Sequence, residues 1–132
     1  MFLKNTWYVA CTSADLGHKP LGRTICNQRM VFFRNAEQQA VAVEDFCPHR
    51  GAPLSLGRVQ DGKLVCGYHG LRFNTEGDCI EVPSQSTCPP NMGIRAYRTL
   101  ERGAVVWIWM GDPVHADERA IIRIDNYDNP KW

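Results

Sequence analysis

Two short turns, each carrying one cysteine and one histidine, constrain this chain more than any other feature. The first, "CPHRGA", contains Cys47 and His49, and the second, "CGYHG", contains Cys66 and His69. Together they read C-x-H-x16-C-x2-H, so each turn offers one thiolate and one imidazole. Two sulfur and two nitrogen donors suit zinc, and they also suit a two-iron centre in which two histidines replace two cysteines on one iron. Spacing alone is compatible with both.

The distribution of ligands between the turns favours two metals. Structural zinc sites commonly place like ligands together in one turn, whereas here each turn supplies one ligand of each kind. If the thiolates bind one iron and the imidazoles the other, each turn reaches across both metals and the two turns clamp the centre from opposite sides. Pro48 stiffens the first turn, and Gly67 and Gly70 let the second backbone approach a ligand closely. The pattern therefore favours a [2Fe–2S] centre.

The rest of the chain reads as short strands. Seven stretches have alternating or β-branched and aromatic character: "TWYVA", "RMVFFRN", "AVAVEDF", "KLVC", "LRFN", "IRAYRTL" and "AVVWIWM". Turn signals lie at residues 19–22, 34–35, 60–62, 74–77 and 102–103. Helical periodicity is limited to single turns at residues 12–17 and 116–121. This pattern predicts an antiparallel all-β sandwich or barrel.

The last strand and the segment after it suggest the domain limits. Alternation places Trp107 and Trp109 on one side of a strand that we expect to be central in its sheet, with both rings in a core. After Met110 the sequence "GDPVHADERAIIRIDNYDNPKW" is polar and rich in acids. We therefore expect one domain over residues 1–111, followed by a polar strap or linker over residues 112–132.

Composition excludes several classes of function. A chain of 132 residues with 44% hydrophobic and 22% charged residues is typical of one globular domain. The net charge is +1 and the basic residues are scattered, so we expect neither a nucleic-acid partner nor a membrane partner. The first residues lack the apolar core of a signal peptide, and no apolar run approaches the roughly 18 residues that span a bilayer. We expect a cytoplasmic protein.

The remaining cysteines and histidines lack ligand spacing. The four other cysteines are interpreted as plain buried or half-buried thiols in a reducing compartment: Cys11, Cys26, Cys79 and Cys88. His18 reads as a turn residue and His115 as a solvated one. The second pair of histidines therefore offers no two-histidine, one-carboxylate iron site of the kind that binds dioxygen.

Four runs of this sequence resemble the N-terminal Rieske domain of aromatic ring-hydroxylating and O-demethylating oxygenases, and especially that of vanillate O-demethylase oxygenase subunits. The runs are "CPHRGAPLSLG…DGKLVCGYHGLRFN", "NTWYVA", "KPLGRTICN" and "VVWIWMGDP". The resemblance implies a Rieske iron–sulfur fold, in which two cluster-binding hairpin loops form a small subdomain. It also implies a Rieske-type [2Fe–2S] cluster bound by Cys47, His49, Cys66 and His69.

The same resemblance implies a function in electron transfer. The chain would be the Rieske part of a non-haem iron monooxygenase or demethylase, with no catalytic residue of its own and with a catalytic domain following "IIRIDNYDNPKW". Electrons would come from a flavin and iron–sulfur reductase. They would pass to a mononuclear non-haem Fe(II) in the catalytic domain of the same or a neighbouring subunit, and the full-length protein would be a homotrimer acting on an aromatic acid.

Two other functions remain open from the residues. A free-standing Rieske-type ferredoxin would use the same four ligands, and a Cys2His2 zinc-binding interaction module would use them on one metal. A ferredoxin needs little beyond the β-core. The N-terminal stretch "NTWYVA" and the polar segment beyond Met110 therefore count against the ferredoxin interpretation.

Overall fold

The structure is a computed structural model that describes residues 2–83, 85, 87–89 and 91–121. These residues form strands and short 3-10 helices without an α-helix. The strands are β1 Thr6–Thr12, β2 Leu21–Ile25, β3 Gln28–Arg34, β4 Ala40–Glu44, β5 Arg58–Gln60, β6 Lys63–Val65, β7 Arg72–Phe73, β8 Cys79–Glu81, β9 Ala96–Tyr97, β10 Thr99–Arg102 and β11 Val105–Met110. The 3-10 helices are Ser13–Asp15, Leu54–Leu56, Pro113–His115 and Glu118–Ala120. In this part of the chain no helix is long and apolar enough to cross a bilayer.

The strands form three antiparallel sheets. Sheet A has the order β1-β11-β10, sheet B has β2-β3-β4-β9, and sheet C has β5-β6-β7-β8. This confirms the predicted antiparallel all-β architecture. The predicted turns at residues 12–17 and 116–121 appear as 3-10 helices.

Strand β3 lies between two hydrophobic cores, one on each of its faces. Met30 and Phe32 face a core shared with sheet A, while Val31 and Phe33 face a second core shared with sheet C. All four side chains are fully buried. A strand covered on both faces loses the alternation of apolar and polar residues, which explains the continuous run "MVFF". The second core also contains Cys47 and Cys66, so sheet B supports the two ligand turns directly.

Sheet A carries the predicted central strand. β11 pairs with β1 on one side and with β10 on the other. Trp109 packs edge-on against Trp7, with ring centroids 5.4 Å apart, while Ile108 on the opposite face is fully buried in the core shared with sheet B. The described part of the predicted strap returns to this tryptophan face, where Trp7 Nε1 donates a hydrogen bond to the Asp117 carbonyl at 2.8 Å. Residues 122–132 of the strap lie outside the described residues.

Two details differ from the sequence prediction. The turn predicted at residues 19–22 overlaps β2, and the β2–β3 turn instead lies at Cys26 and Asn27, whose φ angles are 53° and 60°. The stretch "IRAYRTL" also forms two strands rather than one. β9 pairs with β4 of sheet B and β10 pairs with β11 of sheet A, so the chain changes sheet near Arg98. Hydrophobic pattern alone does not show such a change.

An ion pair links sheets A and B. Arg34 at the end of β3 donates two hydrogen bonds to the carboxylate of Glu101 on β10, at 3.0 and 2.9 Å. The guanidinium lowers the pKa of Glu101 and the carboxylate raises the pKa of Arg34. The bidentate geometry and partial burial distinguish this pair from an ordinary surface salt bridge.

We expect the Glu101→Gln variant to be less stable than the wild type by roughly 1 kcal/mol at pH 7. A carboxyl whose pKa is lower in the folded state adds stability above its unfolded pKa and loses it as the pH falls through the folded pKa. The difference between the two proteins should therefore shrink below about pH 4.5, the ordinary value for Glu. Urea unfolding of both proteins at pH 7 and at pH 3.5 measures this. A difference that stays constant would contradict the assignment.

Candidate metal centre

The first ligand turn is fixed by two backbone hydrogen bonds around Cys47. Residues 46–53, called loop 1, leave β4 and lead through the Leu54–Leu56 helix to β5. The Cys47 N–H donates to the Ala52 carbonyl at 2.8 Å, and the Gly51 N–H donates to the Cys47 carbonyl at 2.7 Å. Gly51 has a φ of 75°, a conformation that glycine adopts at little cost. The short loop thus holds one orientation of Cys47.

The second ligand turn repeats this backbone pattern. Residues 66–71, called loop 2, close the β6–β7 hairpin. The Cys66 N–H donates to the Leu71 carbonyl at 2.8 Å, and the Gly70 N–H donates to the Cys66 carbonyl at 3.0 Å. Gly70 has a φ of 76°. The partners stand four and five residues after the cysteine in both loops, so the two turns have equivalent frames although their histidines stand at different offsets.

Glycine backbone brings the two loops together. A Cβ atom added to Gly57, which follows the Leu54–Leu56 helix, would overlap the Val65 carbonyl oxygen and lie 3.1 Å from the Gly67 nitrogen. The φ of Gly57 is −87°, which any residue can adopt. Glycine is therefore required here for close packing between the connection after loop 1 and the start of loop 2.

The Gly57→Ala variant should lose about 1–3 kcal/mol of unfolding free energy, because the added methyl group must displace the backbone of β6. Gly17→Ala is the matched control, since a Cβ at Gly17 meets no atom within 4 Å. Urea denaturation gives both values. Equal stabilities for the two variants would show that the contact at Gly57 is not as tight as described.

The two cysteines lie side by side in the core. Cys47 is 2% exposed and Cys66 is 1% exposed, and their thiols are hydrogen-bond neighbours. The pKa of the Cys47 thiol is raised to about 11, chiefly by burial and also by the neighbouring Cys66 thiol, while the backbone N–H groups of His49 and Arg50 oppose the rise by favouring the thiolate. A metal ion bound here must displace a firmly held proton, and the two N–H groups are placed to stabilise a ligating sulfur.

The two histidines lie together at the surface. The rings of His49 and His69 have centroids 4.8 Å apart and planes at 81°. Both residues are exposed. The ring of Tyr68 makes an edge-type contact with the ring of His69, with centroids 4.1 Å apart. The structure therefore brings all four predicted ligands into two pairs of like residues. The thiol pair is buried and the imidazole pair is exposed.

A protein-family model described as the Rieske [2Fe–2S] domain matches residues 6–101, from β1 into β10, with both loops inside the match. The chain belongs to this family. A Rieske domain carries a [2Fe–2S] cluster as its cofactor. The donor set fits that group, because the core supplies two thiols with N–H groups beside one sulfur, and two further nitrogen donors stand next to each other.

Known proteins similar to this Rieske domain are oxygenase components. The vanillate O-demethylase oxygenase subunit of Pseudomonas sp. strain HR199 is 51% identical over 136 residues, covering 100% of this chain and 37% of that protein. The dicamba O-demethylase oxygenase component of Stenotrophomonas maltophilia is 43% identical over 91% of this chain and 36% of its own length. A crystal structure of dicamba monooxygenase with non-heme iron and dicamba has a TM-score of 0.91 and 41% identity over 98% of this chain and 40% of its own. The chain thus spans a little over a third of the length of these curated relatives.

The other cysteines and histidines of the Rieske domain differ in burial, and Cys79 packs against the core that contains Cys47 and Cys66. All six cysteines are free thiols, Cys11 is buried in the core between sheets A and B, and His18 and His115 are exposed. One proximity had no signal in the sequence: burial and the neighbouring Cys88 thiol raise the pKa of Cys79 to about 11. Within the described part of the chain, no three or more His, Cys, Asp or Glu side chains surround one point as ligands of a single metal ion do.

Two functional candidates near loop 1 were not found from the sequence. Asp45 is the buried charged residue among those described, and it accepts hydrogen bonds from Ser55. Only the position of Asp45, two residues before a predicted ligand cysteine, could have signalled this role. The partner ten residues later in the chain has no recognisable spacing.

Proposed function

We propose that Cys47 and Cys66 bind one iron of a Rieske [2Fe–2S] cluster, that His49 and His69 bind the other, and that the domain transfers electrons. The observation that carries this proposal is the sorting of the ligands by type. Each loop supplies one thiol and one imidazole, yet the fold places thiol beside thiol and imidazole beside imidazole, with the rings 4.8 Å apart. Two irons with two like ligands each match this sorting, whereas a single zinc does not need it.

When bound, the cluster supplies reversible one-electron chemistry. The residues of the chain determine where that chemistry occurs. The buried cysteines keep water from one side of the centre, while the exposed histidines bring the other side to the surface, where a partner can approach. Neutral imidazoles in place of two thiolates make the centre less negative, which favours the uptake of an electron. The Tyr68 ring packs against the His69 ring in an edge-type contact and restrains its orientation.

Anaerobic titration with dithionite tests this function. The iron-loaded protein should contain two irons per chain and take up one electron per chain, with loss of visible absorption. A Cys2His2 zinc module would be colourless and would take up none. A protein that contains one zinc and no iron would therefore refute the proposal.

We further propose that the chain works within a Rieske non-haem iron monooxygenase or demethylase. The support is the similarity over 91% to 100% of this chain to oxygenase components that demethylate aromatic compounds. In this proposal residues 1–111 are the Rieske domain and residues 112–132 lead towards a catalytic domain with a mononuclear Fe(II). The protein is cytoplasmic and trimeric, and its electron donor is a flavin and iron–sulfur reductase. The hydrogen bond from Trp7 Nε1 to the Asp117 carbonyl ties the described part of the strap to the Rieske domain, and it supports the oxygenase proposal over a free-standing ferredoxin.

Mixing the iron-loaded protein with NADH and a vanillate demethylase-type reductase tests the donor assignment. The cluster should be reduced catalytically, so its visible absorption should bleach at a trace concentration of reductase. The same mixture without reductase is the control. Reduction that requires stoichiometric dithionite and never proceeds with the reductase would contradict the proposed partner.

A further inference from the structure

A buried carboxylate stands at the entrance to loop 1. Asp45 follows β4 and is 7% exposed, and it precedes the ligand Cys47 by two residues. Its backbone N–H donates to the Arg29 carbonyl at 3.1 Å, which ties it to β3. Two residues of chain span at most about 7 Å, so the carboxylate belongs to the immediate surroundings of the ligand.

The carboxylate closes loop 1 by binding Ser55 on its far side. The Ser55 N–H donates to Asp45 Oδ1 and the Ser55 hydroxyl donates to Asp45 Oδ2, both at 2.7 Å. Since loop 1 occupies residues 46–53, these bonds join the two ends of the segment that carries Cys47 and His49. Hydrogen bonds to a charged acceptor are roughly twice as strong as neutral ones, which makes this pair an effective clamp.

Strand β2 covers the clamp on one side. A Cβ atom added to Gly22 would lie 3.0 Å from Ser55 Cβ and 3.3 Å from Asp45 Oδ2, so the backbone of β2 packs directly on the pair. No ion pair among the described residues includes Asp45. The carboxylate is therefore buried and hydrogen-bonded, with no salt bridge to a described residue, a state that costs stability and that solvent ions screen weakly.

We propose that Asp45 is a positioning residue of the metal centre: it clamps loop 1 through Ser55, and its buried charge holds the reduction potential more negative than an uncharged residue would. An electron added to the centre is repelled by a fixed negative charge nearby, and the repulsion is strong where water is absent. This inference rests on the proposed ligands in loop 1. It adds a residue outside the ligand set that tunes their metal.

The Asp45→Asn variant isolates the charge. Asparagine keeps the size and can retain both contacts, since its Oδ1 accepts from the Ser55 N–H and its Nδ2 can donate to the hydroxyl. We expect wild-type iron content and a midpoint potential shifted to a more positive value in an EPR-monitored redox titration. Glu37→Gln is the matched control, because it removes the same charge from an exposed turn at the other end of β4 and should leave the potential unchanged.

The Asp45→Ala and Ser55→Ala variants test the clamp. Loss of such a supporting contact typically weakens metal binding about tenfold to a hundredfold, so we expect iron release to a chelator to accelerate, more for Asp45→Ala than for Ser55→Ala. An Asp45→Asn potential equal to that of the wild type would overturn the role of the charge, and unchanged iron release in Asp45→Ala would overturn the clamp. A wild-type protein without a [2Fe–2S] spectrum would instead refute the ligand assignment, and with it this inference.

Discussion

The Cys47→Ser variant is expected to be colourless and nearly free of iron after purification. Changes to residues that merely support a ligand already cost about tenfold to a hundredfold in metal affinity, and loss of a buried thiolate ligand should cost more. A serine hydroxyl in the same pocket cannot replace the soft sulfur donor, and the Cys66 thiol beside it would lose its partner on the same iron. Iron analysis and visible absorption after anaerobic reconstitution measure the loss.

Cys26→Ser is the matched control for this result. Cys26 is a half-buried free thiol in the β2–β3 turn, and it packs against the core between sheets A and B rather than the core that contains Cys47 and Cys66. Its replacement makes the same chemical change and should leave the iron content unchanged. If Cys47→Ser retained the wild-type spectrum, or if both variants lost iron equally, the assignment of Cys47 as a ligand would be wrong.

The Phe33→Ala variant should lose about 3–5 kcal/mol of unfolding free energy, a large part of the stability of a typical domain. Phe33 is fully buried on the face of β3 that supports sheet C, in the same core as Cys47 and Cys66. The deletion leaves a cavity directly beneath the ligand loops. Urea denaturation of the iron-free protein measures the loss, and a change below about 1 kcal/mol would contradict the packing of this core.

The neighbouring phenylalanine separates general destabilisation from an effect on the centre. Phe32 is equally buried but faces sheet A on the opposite side of β3. We expect Phe32→Leu and Phe33→Leu to reduce stability by similar amounts. Only Phe33→Leu should accelerate iron release to a chelator, because of these two side chains only Phe33 packs in the core that contains Cys47 and Cys66. Equal release rates in the two variants would show that sheet B does not support the loops selectively.

Much of the fold was predictable because the hydrophobic pattern follows the layers. The run at β3 was predicted as a strand, and the alternation at β11 placed Trp109 and Ile108 on opposite faces of a central strand, as observed. Strands β2, β5 and β8 were not predicted. They are short and largely exposed or half-buried, so their residues carry little hydrophobic signal.

The candidate site was predictable in its residues but not in its geometry. Spacing singled out the four proposed ligands, since few structural needs place a cysteine and a histidine together in two glycine-rich turns. It gave no indication that Cys47 and Cys66 share one pattern of backbone hydrogen bonds, or that Asp45 reaches across the loop to Ser55. Those contacts join residues through tertiary packing, and no local pattern records them.

The central claim is that two histidines of this chain bind one iron of a two-iron centre. Pulsed EPR on the reduced protein, with ¹⁵N incorporated only into histidine, tests it most directly. We expect magnetic coupling of the unpaired electron to the nitrogens of two histidines. In the His69→Ala variant, a centre that still assembles should show coupling to one histidine only. A reduced centre that shows no coupling to labelled histidine would contradict the account.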